Sequence, residues 1–404
     1  MIALDALRAS PNALAPHYAR FGVADRLLLS GHSHQAWPDV AREGVLEAFD
    51  DAARHVDEKW ARAFATADAV RAGLRVWLDD DAADLALGAS THELVVRMVS
   101  SLDLARRPRL VTTDGEFHTL RRQLGRAAEA GLDVVRVAVA PVDTLAARLA
   151  HAVDDRTAAV FVSAVLFASG WVVDGLGSLA AACARRGAEL VVDAYHALGP
   201  TPFSVRTLGL DEAWVVGGGY KYLQLGEGNC FLRVPPHARA YRPAITGWYA
   251  EFGALAERHA GELVAYGTGG AARFAGSTYD PTSHYRAARV MAFFAQHGLT
   301  TPAFLPTVYR HQVAYLARAF DALDLPEALI ARDRAVPLDR AGGFLALRTP
   351  HAGALQAALA QRDVLTDSRG DVLRLGPAPY LSDAQLDAAI AALRHAATSL
   401  SSRS

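Results

Sequence analysis

The tightest constraint on the fold of this chain is an alternation of two textures. From Leu85 to Val234, short β-rich runs take turns with helical segments rich in Ala, Arg and Leu. The runs are Leu85–Leu87, Arg109–Thr113, Val134–Val139, Ala158–Ala164, Glu189–Asp193, Ala213–Val216 and Cys230–Val234. Strands separated by helices of about 10–15 residues mean βαβ units, hence an α/β fold around a mainly parallel sheet. Seven runs predict seven strands. Ahead of them, Pro38 to about Val76 reads as helical: Pro38 suits a first turn, and Val45, Phe49 and Ala52 recur at helical spacing. Beyond Arg286 the texture changes to a long helical stretch through Arg289–Phe294, the run Gly342–Leu347, a helix near Leu355 and a terminal helix Ala384–Ala396. This predicts a second, smaller α+β domain.

Composition narrows the function classes. The 404 residues suit two or three domains, and 51% apolar against 21% charged is the balance of a globular chain with a sizeable core. Basic and acidic residues number 41 and 43, which argues against life on nucleic-acid phosphates or an anionic membrane. Two cysteines, Cys183 and Cys230, exclude a disulfide framework and a cysteine-rich zinc site. No apolar run approaches the roughly 18 residues of a membrane span. The first residues show no secretory pattern, so the expectation is a cytoplasmic protein.

Only two of the 41 basic residues are lysines, Lys59 and Lys221. Lys59 lies in a charged helical stretch and needs no explanation. Lys221 follows Gly217-Gly218-Gly219-Tyr220 at the end of one strand run, and Asp193 ends another, 28 positions earlier. Open parallel sheets bind ligands outside the carboxyl ends of their strands. A lysine partly desolvated there would have a lowered pKa and could act as a Schiff-base nucleophile. The acid would suit a pyridinium nitrogen, which needs an anionic partner. The plain alternative is a surface lysine in a glycine turn and an aspartate capping a helix.

Asp193-x-x-His196-x-x-Gly199, followed by Tyr220-Lys221-Tyr222-Leu223 with Gly226 and Gly228, resembles the DxxHAxG…YKYLxxGxG signature of the kynureninases. These are class V enzymes of fold type I that depend on pyridoxal 5'-phosphate (PLP). With gaps, the resemblance runs from Leu27 to Tyr380. It implies a large PLP-binding domain over 50–279 built on the seven-stranded, mainly parallel sheet, and a small α+β domain over 280–404. Residues 1–49 would join the small domain and the active-site mouth. Lys221 would carry the cofactor, Asp193 would face its pyridine nitrogen, and His196 with Tyr220 would lie near the phosphate.

Further positions follow from the same resemblance. Ser90 and Glu93 have capping-box spacing, and a helix N-terminus there would place Ser90 and Thr91 at the cofactor phosphate. In the segment Asp114–His118, His118 is the first candidate for the ring that stacks on the cofactor and Phe117 the second. Arg374, within Val372–Tyr380, resembles the arginine that holds the substrate carboxylate, a task suited to its planar fork. Trp248, Ser277 and Thr278 fall where a neighbouring subunit reaches the cofactor, implying a homodimer with shared sites. The family's GNSLG turn is here Gly31-His32-Ser33-His34-Gln35, so Ser33 and His34 should face the substrate side, opposite Arg374.

The implied activity is hydrolytic Cβ–Cγ cleavage of a β-acyl amino acid, with Lys221 and Tyr220 or a water as the acid–base groups. The substitutions around His34, Thr278 and Thr112–Asp114 leave the substrate open. Transamination, racemisation or β-elimination are alternatives on the same cofactor. A non-enzymatic PLP-fold protein is disfavoured by the retention of Asp193 and Lys221. A cysteine desulfurase would need a cysteine on a loop shortly before Arg374, where none stands. A metal site from His32, His34, His118 and Asp193 is a further, weaker alternative; the expectation is no metal.

Overall fold

Strand residues whose two faces are both apolar demand cover on both sides, and the chain supplies it. The computed structural model describes residues 2–255, 263–300, 303–334 and 337–401. In chain order its strands are β1 (Leu27–Leu28), β2 (Asp84–Gly88), β3 (Arg109–Thr113), β4 (Asp133–Val137), β5 (Thr157–Ser163), β6 (Glu189–Asp193), β7 (Trp214–Gly218), β8 (Cys230–Val234), β9 (Ala331–Arg332), β10 (Leu345–Arg348), β11 (Val364–Leu365), β12 (Asp367–Arg369) and β13 (Val372–Leu375). The central sheet has the order β2-β8-β7-β6-β5-β3-β4. Only β8 runs antiparallel to its neighbours. The expected α/β architecture with a seven-stranded, mainly parallel sheet is therefore observed.

All seven residues of β5 are buried. Val160 and Val162 enter one core while Ala159 and Phe161 enter the other, as the two-residue period of a strand requires. A second sheet, β12-β13-β10-β9, is antiparallel and packs with the helices Phe304–Asp321 and Ala352–Ala360, against which the helix Asp383–Ser401 rests. The parallel pair β1 and β11, extended by a bridge from Ser30 to Gly376, stitches the N-terminal segment to the C-terminal third. That stitch carries Gly31–His34 toward Tyr220, just beyond the carboxyl end of β7.

The helical stretch expected from Pro38 to Val76 is two helices, Val40–His55 and Lys59–Leu78. Val56, at φ 47°, ends the first helix without a glycine or proline to mark the break. The first helix packs by its small residues. Ala41, Gly44 and Ala48 are buried against the helix Thr282–His297, whereas Val45, Leu46 and Phe49 are exposed. Small residues permit the close approach: a Cβ on Gly44 would lie 2.5 Å from the Tyr285 carbonyl oxygen. No described helix is long and apolar enough to cross a membrane.

Candidate active site

The carboxyl ends of β5, β6 and β7 lie side by side, and each delivers a polar group to one cavity. Ser163 ends β5, Asp193 ends β6 and is its register partner, and β7 runs through Gly218 into Gly219-Tyr220-Lys221. The cavity has a volume of about 220 Å³. Its wall includes Ser90, Thr91, Phe117, Asp193, His196 and Lys221. Tyr195 packs directly on the Gly218 backbone, where a Cβ would lie 2.0 Å from its hydroxyl oxygen. Here the glycine supplies room for a ring at the cavity floor.

Lys221 is buried, with its Nζ 2.7 Å from His196 Nε2. Burial lowers its pKa to about 7, against the opposing charge of Asp193. His196 is held well below its ordinary range by burial and then by the charges of Lys221, His32 and Arg374, so the neutral ring accepts from Lys221 at Nε2. Its Nδ1 lies 3.3 Å from the Tyr222 hydroxyl. The rings of Tyr195, Phe117 and Tyr220 surround the Lys221 Nζ at 4.9, 5.3 and 5.8 Å. Burial raises Asp193, opposed by the Tyr195 amide that donates to its Oδ1 at 2.8 Å and by Lys221.

At the other end of the cavity, Ser90 caps the helix Thr91–Val99 and accepts from the Glu93 amide at 3.3 Å. Ser90, Thr91 and His92 of that first turn line the cavity, and a helix N-terminus is suited to an anion. Cys230 completes this wall, its Sγ 3.4 Å from the Tyr195 hydroxyl and 3.6 Å from Thr91 Oγ1. Burial raises the Cys230 thiol and keeps it protonated. Cys183 is buried in the helix Leu176–Arg185.

The structure places the remaining expected positions as follows. His118 is exposed at the start of the helix His118–Glu129, 3.3 Å from Arg121, and Phe117 takes the cavity wall. The helix begins at His118, so its side chain turns outward while the preceding residue points in. His34 lies at the cavity mouth, stacked on Tyr220 at 5.0 Å and 3.7 Å from Glu227 Oε1, with Ser33 Oγ 3.2 Å from its Nδ1. The histidine buried among charged groups is His32. Arg374 is also buried, donating to the Phe167 carbonyl at 2.7 Å and to Asp367. Ser277 and Thr278 line a second cavity of about 900 Å³, which meets the first at Ala89, Glu227 and Gly228. Trp248 is exposed within an aromatic group with Tyr249 and Phe252 and lines neither cavity. Within one chain these three residues do not reach Lys221. Among the described residues, no three His, Cys, Asp or Glu side chains gather as a metal site requires.

Sequence reasoning passed over Glu116. It is fully enclosed, accepting from Ser163 Oγ at 2.6 Å and from Thr113 Oγ1 at 2.7 Å. Burial raises its carboxyl to about 7 against those hydrogen bonds, with Asp193 adding to the rise. Ser163 could have been found from its place at a strand end; Glu116, in a loop, gave no such signal.

A family model for the kynureninase C-terminal domain matches residues 321–393. Acetylornithine aminotransferase of Mycobacterium tuberculosis (strain ATCC 25618 / H37Rv) is 31% identical over 336 residues, covering 76% of this chain and 69% of that protein. The uncharacterized aminotransferase YcbU of Bacillus subtilis (strain 168) is 24% identical over 350 residues, covering 86% and 88%. Among solved structures, the cystine C–S lyase C-DES with its product cysteine persulfide superposes with a TM-score of 0.78 at 17% identity, covering 92% of this chain and 98% of that one. An apo cysteine desulfurase from Thermococcus onnurineus NA1 gives 0.77, also at 17%, covering 96% and 98%. At such identities the structures speak for the fold alone.

Proposed function

The chain belongs to the aminotransferase family of PLP-dependent, fold-type I enzymes, and from that premise we propose that it is of the class V type and acts on an amino acid in the cavity between Asp193 and Lys221. One observation carries the reading. Of the two lysines in the chain, one is buried at the strand ends, has its pKa drawn down to about 7, and shares a cavity with a buried aspartate.

The donor set fits PLP. Asp193 would face the pyridine nitrogen, Phe117 would form a flat wall beside the ring, and Lys221 would meet the aldehyde carbon. The Ser90–His92 turn would take the phosphate on its N–H groups and hydroxyls. When bound, PLP supplies an electron sink for charge developing at the substrate Cα. The protein's own groups do the rest. Lys221, as a neutral amine in an apolar setting, would accept and return a proton at the substrate Cα. Arg374 would hold the carboxylate. Tyr220 keeps its hydroxyl proton because burial raises it, so it can donate at the carbon leaving the acyl group.

The finer proposal is kynureninase-like hydrolysis, in which water adds to the γ-carbonyl and the Cβ–Cγ bond breaks. The acyl carbon leaves as a carboxylic acid, and Cβ takes a proton to give alanine. The signature around Lys221 and the C-terminal family match, which spans Arg374, support it. Transamination is the second reading, favoured by the 31% identity to an aminotransferase. The homodimer is proposed with it: Trp248, Ser277 and Thr278 would serve the neighbouring subunit's site, and exposed Val45, Leu46 and Phe49 offer an apolar face. Incubating the holoenzyme with kynurenine, and separately with an amino-acid panel plus a keto acid, separates the two reactions. Alanine and an aromatic acid from kynurenine support hydrolysis; amino transfer without chain cleavage replaces it with transamination.

A further inference from the structure

Arg374 does not stand free. Its Nη1 donates to the Phe167 carbonyl at 2.7 Å and its Nη2 to Oδ2 of Asp367, while its Nε–H, also buried, has no partner. Asp367 and Arg374 are register partners on β12 and β13, so the backbone pairing itself sets this contact. The other carboxylate oxygen, Oδ1, accepts from Arg369 at 2.9 Å. His32, wholly buried, closes the remaining side with its Nε2 3.5 Å from Oδ2 and its ring 4.8 Å from Phe344. Neither ring nitrogen of His32 has an aligned hydrogen-bond partner. The ring is wedged against Gly376, where a Cβ would lie 2.1 Å from its Nδ1.

A buried ion pair is a weak source of stability, because the two charges must leave water. What it does provide is a fixed direction. We propose that Asp367 is a positioning residue: with the Phe167 carbonyl it holds one N–H on each Nη of Arg374 and so fixes the direction in which the fork is presented to a substrate carboxylate. The inference rests on the reading of Arg374 as the carboxylate holder. Burial would raise the Asp367 carboxyl, but His32, Arg374 and Arg369 outweigh it and keep the charge in place. Burial also lowers His32 to about 4, so at neutral pH it shields the pair from water without neutralising it.

The test compares two amines that differ by the carboxylate, L-alanine and ethylamine, titrated into holoenzyme while the cofactor's visible band is followed. Asp367→Asn should weaken L-alanine about tenfold, the worth of one charge-assisted contact, and change ethylamine by less than about twofold. Asp367→Glu, which keeps the charge but lengthens the reach, should show a smaller loss with the same selectivity; it decides the matter if the asparagine variant does not fold. Equal weakening of both amines, or no weakening, overturns the proposal. Arg374→Lys in parallel keeps the two questions apart. If it leaves the preference for L-alanine intact, Arg374 is not the carboxylate holder. If it abolishes that preference while the Asp367 variants keep it, only the positioning role falls.

Discussion

A lysine in a solvated turn keeps its proton to about pH 10; Lys221, enclosed by three aromatic rings and His196, gives it up near 7. The amine is therefore nucleophilic at neutral pH. Uptake of PLP by apoenzyme, followed by growth of the visible band, should accelerate as pH rises through about 7 and then level off. A rate that is flat between pH 6 and 8 counts against Lys221 as the receiving amine, and Lys221→Ala should form no reducible adduct. Glu116 gives the opposite pH dependence. Its carboxyl is raised from 4.5 to about 7, so the folded state binds more protons than the unfolded state between those values. Its stabilising contribution is complete below pH 4.5 and disappears as pH rises through 7, by up to about 3 kcal/mol. Glu116→Gln, which never ionises, should flatten the stability of apoenzyme between pH 5 and 7 in urea melts. Lys221 and Asp193 were legible because a strand end has one chemical meaning in a parallel sheet. The choice between Phe117 and His118, or His32 and His34, was not. It depends on which way one turn of backbone rotates, and that is decided by partners distant in sequence such as Phe344 and Asp367.

At the scale of elements, periodicity located all seven central strands but did not assign the buried face of one helix. In Val40–His55 the stripe of bulky residues looks like the buried one, because burial of area is the usual reason for such a stripe. The chain instead buries Ala41, Gly44 and Ala48, since only small side chains let this helix touch the backbone of Tyr285. That leaves Phe49 72% exposed beside Val45 and Leu46. If the apolar stripe is the subunit interface, Phe49→Glu should shift the enzyme from dimer to monomer in sedimentation without loss of helix content. Cofactor retention should fall with it, because Ser277 and Thr278 would no longer reach a neighbouring site. A variant that remains dimeric places the interface elsewhere. The same argument explains why the break at Val56 went unseen: no glycine or proline marks it, and the turn is imposed by packing of the two helices.

Across the whole molecule the sheet divides its labour between its ends. The carboxyl edge gathers groups that titrate near neutrality, whereas the amino edge holds a buried carboxylate that is fully partnered. Glu189, the first residue of β6, accepts from Trp214 Nε1 at 2.7 Å, Tyr241 at 2.5 Å and His237 Nε2 at 2.9 Å. His237 also meets Glu212 at 2.6 Å, and the hydrogen bond to Glu189, with both carboxylate charges, raises its pKa to about 9 against partial burial. A histidine raised in the folded state contributes stability that is complete below its unfolded value, near 6.5, and is lost as pH climbs through 9. Because the side chain is 38% exposed, solvent screening reduces that contribution well below what the shift alone would suggest. His237→Gln can still donate to Glu189 but carries no charge. Its stability deficit relative to the parent should be greatest at pH 6 and shrink toward pH 9 in urea melts, while the visible spectrum of the holoenzyme stays unchanged. A deficit independent of pH would mean that shape, and not charge, holds this end of the sheet. A shifted spectrum would mean that the two ends are coupled through β6, whose opposite terminus is Asp193.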